Sequence, residues 1–231
     1  YLYQGGLGMP DRDYYMKDDQ RSKEIQAAYL VHLQKMFALA GSDEATAKSQ
    51  ASTVYNIEKQ MAAVSMTRLE QRDPHKIYNK MDLAGIQKIS PEIDWTKHFL
   101  SIGLQNPGEF IVGQPAFMTE LGKMLQAISV DDWKVYMKWQ VINSLDSYLP
   151  KAFVDQAFDF FGKTLSGQKA DRPRWKKVQG ATDHALSEAI GQMYVQKYFP
   201  AEAKQRMLDL VGNLKISLGE RIKQLAWMSD E

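Results

Sequence analysis

The chain has 231 residues, 44% hydrophobic and 25% charged, enough to bury a core and still solvate a surface, so composition fits a soluble globular chain of one large or two small domains. Lys and Arg number 29 against 28 Asp and Glu, and this balance lacks the basic excess that drives binding to nucleic acid. With no cysteine, disulfides, thiolate nucleophiles and thiolate metal sites are excluded together, and no apolar run approaches the ~18 to 20 residues of a membrane-spanning helix.

Tyr1 begins the sequence without an initiator Met, and no basic-then-apolar leader pattern follows it. Gly5-Gly6-Leu7-Gly8 is glycine-rich but lacks the Lys-Ser/Thr of a phosphate loop. Asp18 and Asp19 then open an amphipathic helix whose apolar face runs Ile25, Tyr29, Leu33, Met36, Phe37 and Ala40, with Gly41 as its C-terminal cap. A long helix is expected from Asp43 to Gln71, a short one from Asp82 to Lys88, and another from Asp94 to Ile102. Phe110-Ile111-Val112, between Pro107-Gly108 and Gly113, is the one candidate strand, too short for a sheet of its own.

Ser129 with Asp132 three positions on starts the next helix, with Trp133, Tyr136, Met137, Val141, Leu145 and Tyr148 along one face. Pro150 marks a break, and helices over Pro150–Leu165 and Arg174–Tyr198 follow, separated by the turn-rich segment from Ser166-Gly167 to Arg172-Pro173. In the last stretch Met207, Leu210, Val211, Leu214, Leu218, Ile222 and Leu225 recur at helical steps and read as a core-facing helix. Ser229-Asp230-Glu231 has the composition of a helix cap and acidic first turn, which with Tyr1 suggests a piece of a longer sequence. The expected class is all-α, with at most a very short strand near residues 110–112.

Reactive chemistry is hard to place. The histidines are His32, His75, His98 and His184, and no two lie within one helical turn, so the paired-histidine helix of a zinc peptidase is absent. His32 sits on an apolar face and reads as a packed core histidine; His184 reads as solvated or capping. There is no G-x-S-x-G turn. Trp133, Trp139 and Trp175 fit a core better than a peptide groove, and Arg172, Arg174, Lys176 and Lys177 fit a solvated turn and helix start. No catalytic, cofactor-binding or metal-binding residue is assigned.

One series of motifs is sharper. Gly6-Leu7-Gly8-Met9-Pro10-Asp11-Arg12-Asp13-Tyr14-Tyr15 resembles the G-L-P-x-R-D-Y-Y signature of neprilysin and endothelin-converting enzyme relatives. The same order continues through Ile57-Glu58, Arg72-Asp73-Pro74, Tyr78-Asn79-Lys80-Met81, Ile93-Asp94-Trp95 and Trp133 to Trp139. Arg174-Trp175-Lys176-Lys177, Ala189-Ile190-Gly191-Gln192-Met193-Tyr194-Val195 and Leu225-Ala226-Trp227-Met228 complete it. Gly191 is expected to permit close helix packing.

The resemblance implies that residues 1–231 are part of the N-terminal helical domain of a zinc metalloendopeptidase, enclosing the substrate cavity, with the thermolysin-like catalytic domain absent. It implies zinc only in that missing domain, where H-E-x-x-H and E-x-x-x-D would lie beyond Glu231, so this chain alone is expected to be inactive and to hold no cofactor. The expected partners are peptide substrates of the intact enzyme and the missing catalytic domain. A stand-alone helical module that binds peptides or proteins without catalysis is the alternative. Lack of cysteine favours a bacterial type; the compartment stays open, with an extracytoplasmic placement, periplasmic, secreted or surface-anchored, as the expectation.

Overall fold

A computed structural model describes residues 1–227, in two compact units that meet in sequence at Asp171 and Arg172. The expected final cap, Ser229-Asp230-Glu231, and Met228 of the last motif lie outside the described residues.

The first unit begins with an extended segment and α1 (Asp13–Met16), followed by α2 (Gln20–Leu39) and α3 (Glu44–Val64). Asp19 and Asp43 set the two long helix starts, each side chain accepting the backbone N–H three residues on, at Ser22 and Thr46. Gly41, at φ 96°, ends α2: its N–H reaches Ala38 O at 3.0 Å and that of Ser42 reaches Phe37 O at 3.1 Å. That paired bonding needs the left-handed backbone that glycine supplies. The short link from Ala40 to Asp43 returns α3 along α2, so Tyr29, Leu33, Met36 and Phe37 bury against Ala47, Ala51, Val54 and Ile57.

α3 stops at Val64, seven residues short of the expected Gln71. Ser65 turns extended, and the side chain of Gln4 takes both backbone groups of Met66, accepting its N–H at 2.7 Å and donating to its carbonyl at 3.0 Å. Two good hydrogen bonds from a distant segment thus replace the next helical turn. A turn at Glu70–Arg72 leads to α4 (Pro74–Ile77), β1 (Lys80–Met81), α5 (Leu83–Ile89) and α6 (Trp95–Ser101), the last two capped by Asp82 and Asp94.

β2 (Phe110–Ile111) pairs antiparallel with β1, Lys80 opposite Ile111, and Leu2 bridges Val112 in parallel. The short strand therefore belongs to a two-stranded ribbon, and the class is mainly α as expected. α7 (Pro115–Ala127) was not anticipated, although Pro115 stands at its first position and Phe117, Met118 and Met124 face the core. α8 (Val130–Leu145) begins at Ser129, whose hydroxyl accepts the Asp132 N–H at 3.1 Å. After Pro150, α9 (Lys151–Ala157) widens into a π-helical stretch, Phe158–Leu165.

In the second unit the single helix expected over Arg174–Tyr198 is two, α10 (Arg174–Ala185) and α11 (Ser187–Tyr198), broken at Leu186 where φ is −127°. α12 (Ala201–Ile222) ends before Leu225, and its apolar stripe, expected to face a core, is exposed in this chain. Trp175, likewise expected in a core, is 63% exposed. No close neighbour meets the position a Cβ would take on Gly191, so the anticipated tight packing there is absent among the described residues. No described helix is long and apolar enough to cross a membrane.

Candidate functional site

A buried ionisable cluster in the first unit centres on Glu58, which is fully buried in α3 between Val54 and Met61. Its Oε1 accepts the Gly8 N–H and the Trp139 indole N–H, both at 3.1 Å. Its Oε2 accepts the hydroxyls of Tyr15 and Tyr29, both at 2.8 Å. Four donors match the acceptor sites of an ionised carboxylate, and all four are uncharged. Burial pushes the Glu58 carboxyl up to about 7 while the four donors pull it down. Burial and the adjoining carboxylate raise Tyr15 and Tyr29, so both phenols stay protonated and donate to Glu58.

The cluster ties the N-terminal segment to the helices. Tyr15 also accepts the Met9 N–H at 2.9 Å, Tyr136 donates to Gly6 O at 2.7 Å, and Arg12 Nε donates to Ala62 O at 3.1 Å. Gly6, at φ 85°, needs glycine for its backbone, and a Cβ on Gly8 would collide with the Tyr29 hydroxyl. In the glycine-rich run that lacks the Lys-Ser/Thr of a phosphate loop, Gly6 meets Tyr136 and Gly8 meets Glu58. Asn79, in the Tyr78-Asn79 motif, donates from Nδ2 to Lys76 O at 2.9 Å while its own carbonyl accepts the Val112 N–H at 2.9 Å, closing the turn beside the ribbon.

His32 lies one turn from Tyr29, buried as expected, stacked on Phe160 with ring centroids 4.9 Å apart and edge-on to Trp139 and Phe161. The Gln156 amide meets its Nδ1 at 3.2 Å. Burial drives its pKa down to about 4, so the ring is neutral at physiological pH. His98 packs edge-on against Trp95 and Phe99, and His75 and His184 are exposed, so the structure does not bring the histidines together. Among the described residues no group of three or more His, Cys, Asp or Glu is placed to hold a metal ion. These residues do not fit a zinc site. Trp139 is fully buried and Trp133 partly so; Arg174 and Lys176 are exposed at the start of α10.

Glu58 stood in the sequence only as one letter of a motif. The signal that could have found its role is its position: a carboxylate on the same helix face as Val54 and Met61 must be either paired or satisfied by donors.

A family model described as peptidase family M13 matches residues 1–231, the whole chain. The chain belongs to peptidase family M13. Among curated relatives of this M13 chain, an endothelin-converting enzyme homolog from Locusta migratoria is 28% identical over 99% of the chain and 33% of the relative. Human endothelin-converting enzyme 1 is 26% identical over 99% of the chain and 30% of the relative. The zinc metalloprotease Zmp1 of Mycobacterium tuberculosis, solved with an inhibitor, superposes with a TM-score of 0.87 at 30% identity, covering 99% of this chain and 34% of that one. PepO from Lactobacillus rhamnosis shares the fold, with a TM-score of 0.80 at 19% identity. The M13 chain thus spans about a third of the length of the relatives it matches.

Proposed function

We propose that this chain is the non-catalytic helical portion of an M13 zinc metalloendopeptidase, a scaffold that helps enclose the cavity in which the intact enzyme hydrolyses peptides. The observation that carries this reading is one of extent: 99% of the chain superposes on 34% of a zinc metalloprotease, and Glu58 with its four donors holds helices and the N-terminal segment together. Zinc, the attacking water it activates and the general base belong, in this reading, to the remainder of the polypeptide. Peptide substrates and that remainder are the partners proposed, and the site of action proposed is outside the cytoplasm.

Expression of the 231-residue chain beside the complete polypeptide encoded by its gene tests the assignment. The complete polypeptide is expected to bind one zinc per chain and cleave oligopeptides, and the shorter chain to do neither. Zinc binding with peptide hydrolysis by the shorter chain would refute the scaffold role.

A further inference from the structure

The three helices of the second unit contain no buried residue among those described. On α12, Met207, Leu210, Val211, Leu214, Leu218 and Ile222 fall within roughly a third of the circumference at the ~100° per residue of an α-helix. Their exposures run from 38% at Ile222 to 59% at Leu214. A continuous row of large aliphatic side chains in water is the mark of an interaction surface. The charges on α12 are sorted as well. Three of its four bases, Lys204, Lys215 and Arg221, lie in the same half of the helix as the row, while Arg206 and all three acids, Glu202, Asp209 and Glu220, lie in the opposite half. None of the three bases has an ion pair among the described residues.

We infer that this face of α12 is the docking surface for the part of the M13 polypeptide that the relatives carry beyond the matched third. The surface it fits is apolar at its centre, with carboxylates at its rim to meet Lys204, Lys215 and Arg221. This inference rests on the scaffold reading above. It also stands on two observations of its own, the unburied row and the confinement of the α12 acids to the half away from it. A folded protein surface fits better than a lipid surface or a second copy. The likeness to Zmp1 runs through 99% of this chain, α12 included, and that homologous stretch sits inside a chain about three times as long.

Hydrogen exchange read by mass spectrometry on residues 203–222 tests it, with the 231-residue chain and the complete gene-encoded polypeptide compared at one concentration. Exchange is expected to be slower by at least about tenfold in the complete polypeptide. The double variant Leu214→Glu, Leu218→Glu is expected to restore fast exchange there while residues 29–37 in the core of the first unit stay protected. Equal, fast exchange of 203–222 in both proteins overturns the docking surface. So does protection that requires vesicles of phosphatidylglycerol, or that appears in the shorter chain only as its concentration rises, because the occupant is then lipid or a second copy. Failure of the scaffold reading is separable: a native polypeptide of 26.4 kDa removes that reading by mass alone. A longer one with a freely exchanging α12 removes only the docking surface.

Discussion

The Tyr15 hydroxyl donates to Glu58 Oε2 at 2.8 Å while accepting the Met9 N–H at 2.9 Å, so one phenol joins α3 to the segment that precedes α1. Replacing Tyr15 with Phe removes a donor from a buried carboxylate and orphans a buried N–H. A loss of about 1 to 3 kcal/mol is expected from the unsatisfied groups, measured as a lower urea midpoint with unchanged slope. Glu58→Ala leaves four donors facing a void, and a loss of on the order of 3 kcal/mol or more is expected.

Glu58 and His32 make opposite contributions to the pH dependence of stability. Glu58 titrates at about 7 when folded against an ordinary 4.5, so the folded state holds the extra proton between those values and stability falls as pH rises through them. His32 titrates at about 4 against an ordinary 6.5, so the unfolded state holds the extra proton and stability rises as pH climbs from about 4 to 6.5. The two slopes oppose each other between pH 4.5 and 6.5. In Glu58→Gln, stability is expected to rise from pH 4 to 6.5 by on the order of 3 kcal/mol, the His32 contribution unmasked. In His32→Phe it is expected to fall between pH 4.5 and 7. Denaturant midpoints across this range check both signs, and identical profiles in the two variants would contradict the assignment.

Gly122 lies inside α7, where helix propensity alone says that alanine should stabilise by about 1 kcal/mol. The structure predicts the opposite sign. A Cβ there meets the Glu92 carboxylate and comes within 2.6 Å of Ser90 Oγ, and Ser90 is fully buried and unable to retreat into solvent. Gly122→Ala is expected to cost about 1 to 3 kcal/mol by overpacking. Gly219→Ala in α12, where no neighbour stands within 4 Å, is expected to stabilise or be neutral. Thermal melts of the two variants separate crowding from propensity.

Helix starts were legible because a cap acts over three residues: Asp19, Asp43, Asp82, Asp94 and Ser129 are read directly from the sequence and each bonds as expected. Features set by distant residues were not legible. The end of α3 depends on Gln4, 62 residues away, and the Glu58 cluster is assembled from Gly8, Tyr15, Tyr29 and Trp139 on four separate segments. The periodic face of α12 was legible as apolar, but periodicity says nothing about where the covering surface is encoded. No local signal distinguishes a stripe that faces its own unit's core from one that faces another part of a longer chain. Collinear scaffold motifs identified the family without naming a catalytic residue, because the polar residues they contain, such as Glu58 and Asn79, hold backbone and helices in place.

The most direct test is the mass of the native polypeptide with its sequence read past Glu231. A polypeptide about three times as long, with H-E-x-x-H followed by E-x-x-x-D in the added part, is the predicted result and places zinc chemistry outside the residues described here. A native chain that ends at Glu231 would contradict the scaffold assignment and leave a free-standing helical binding protein in its place.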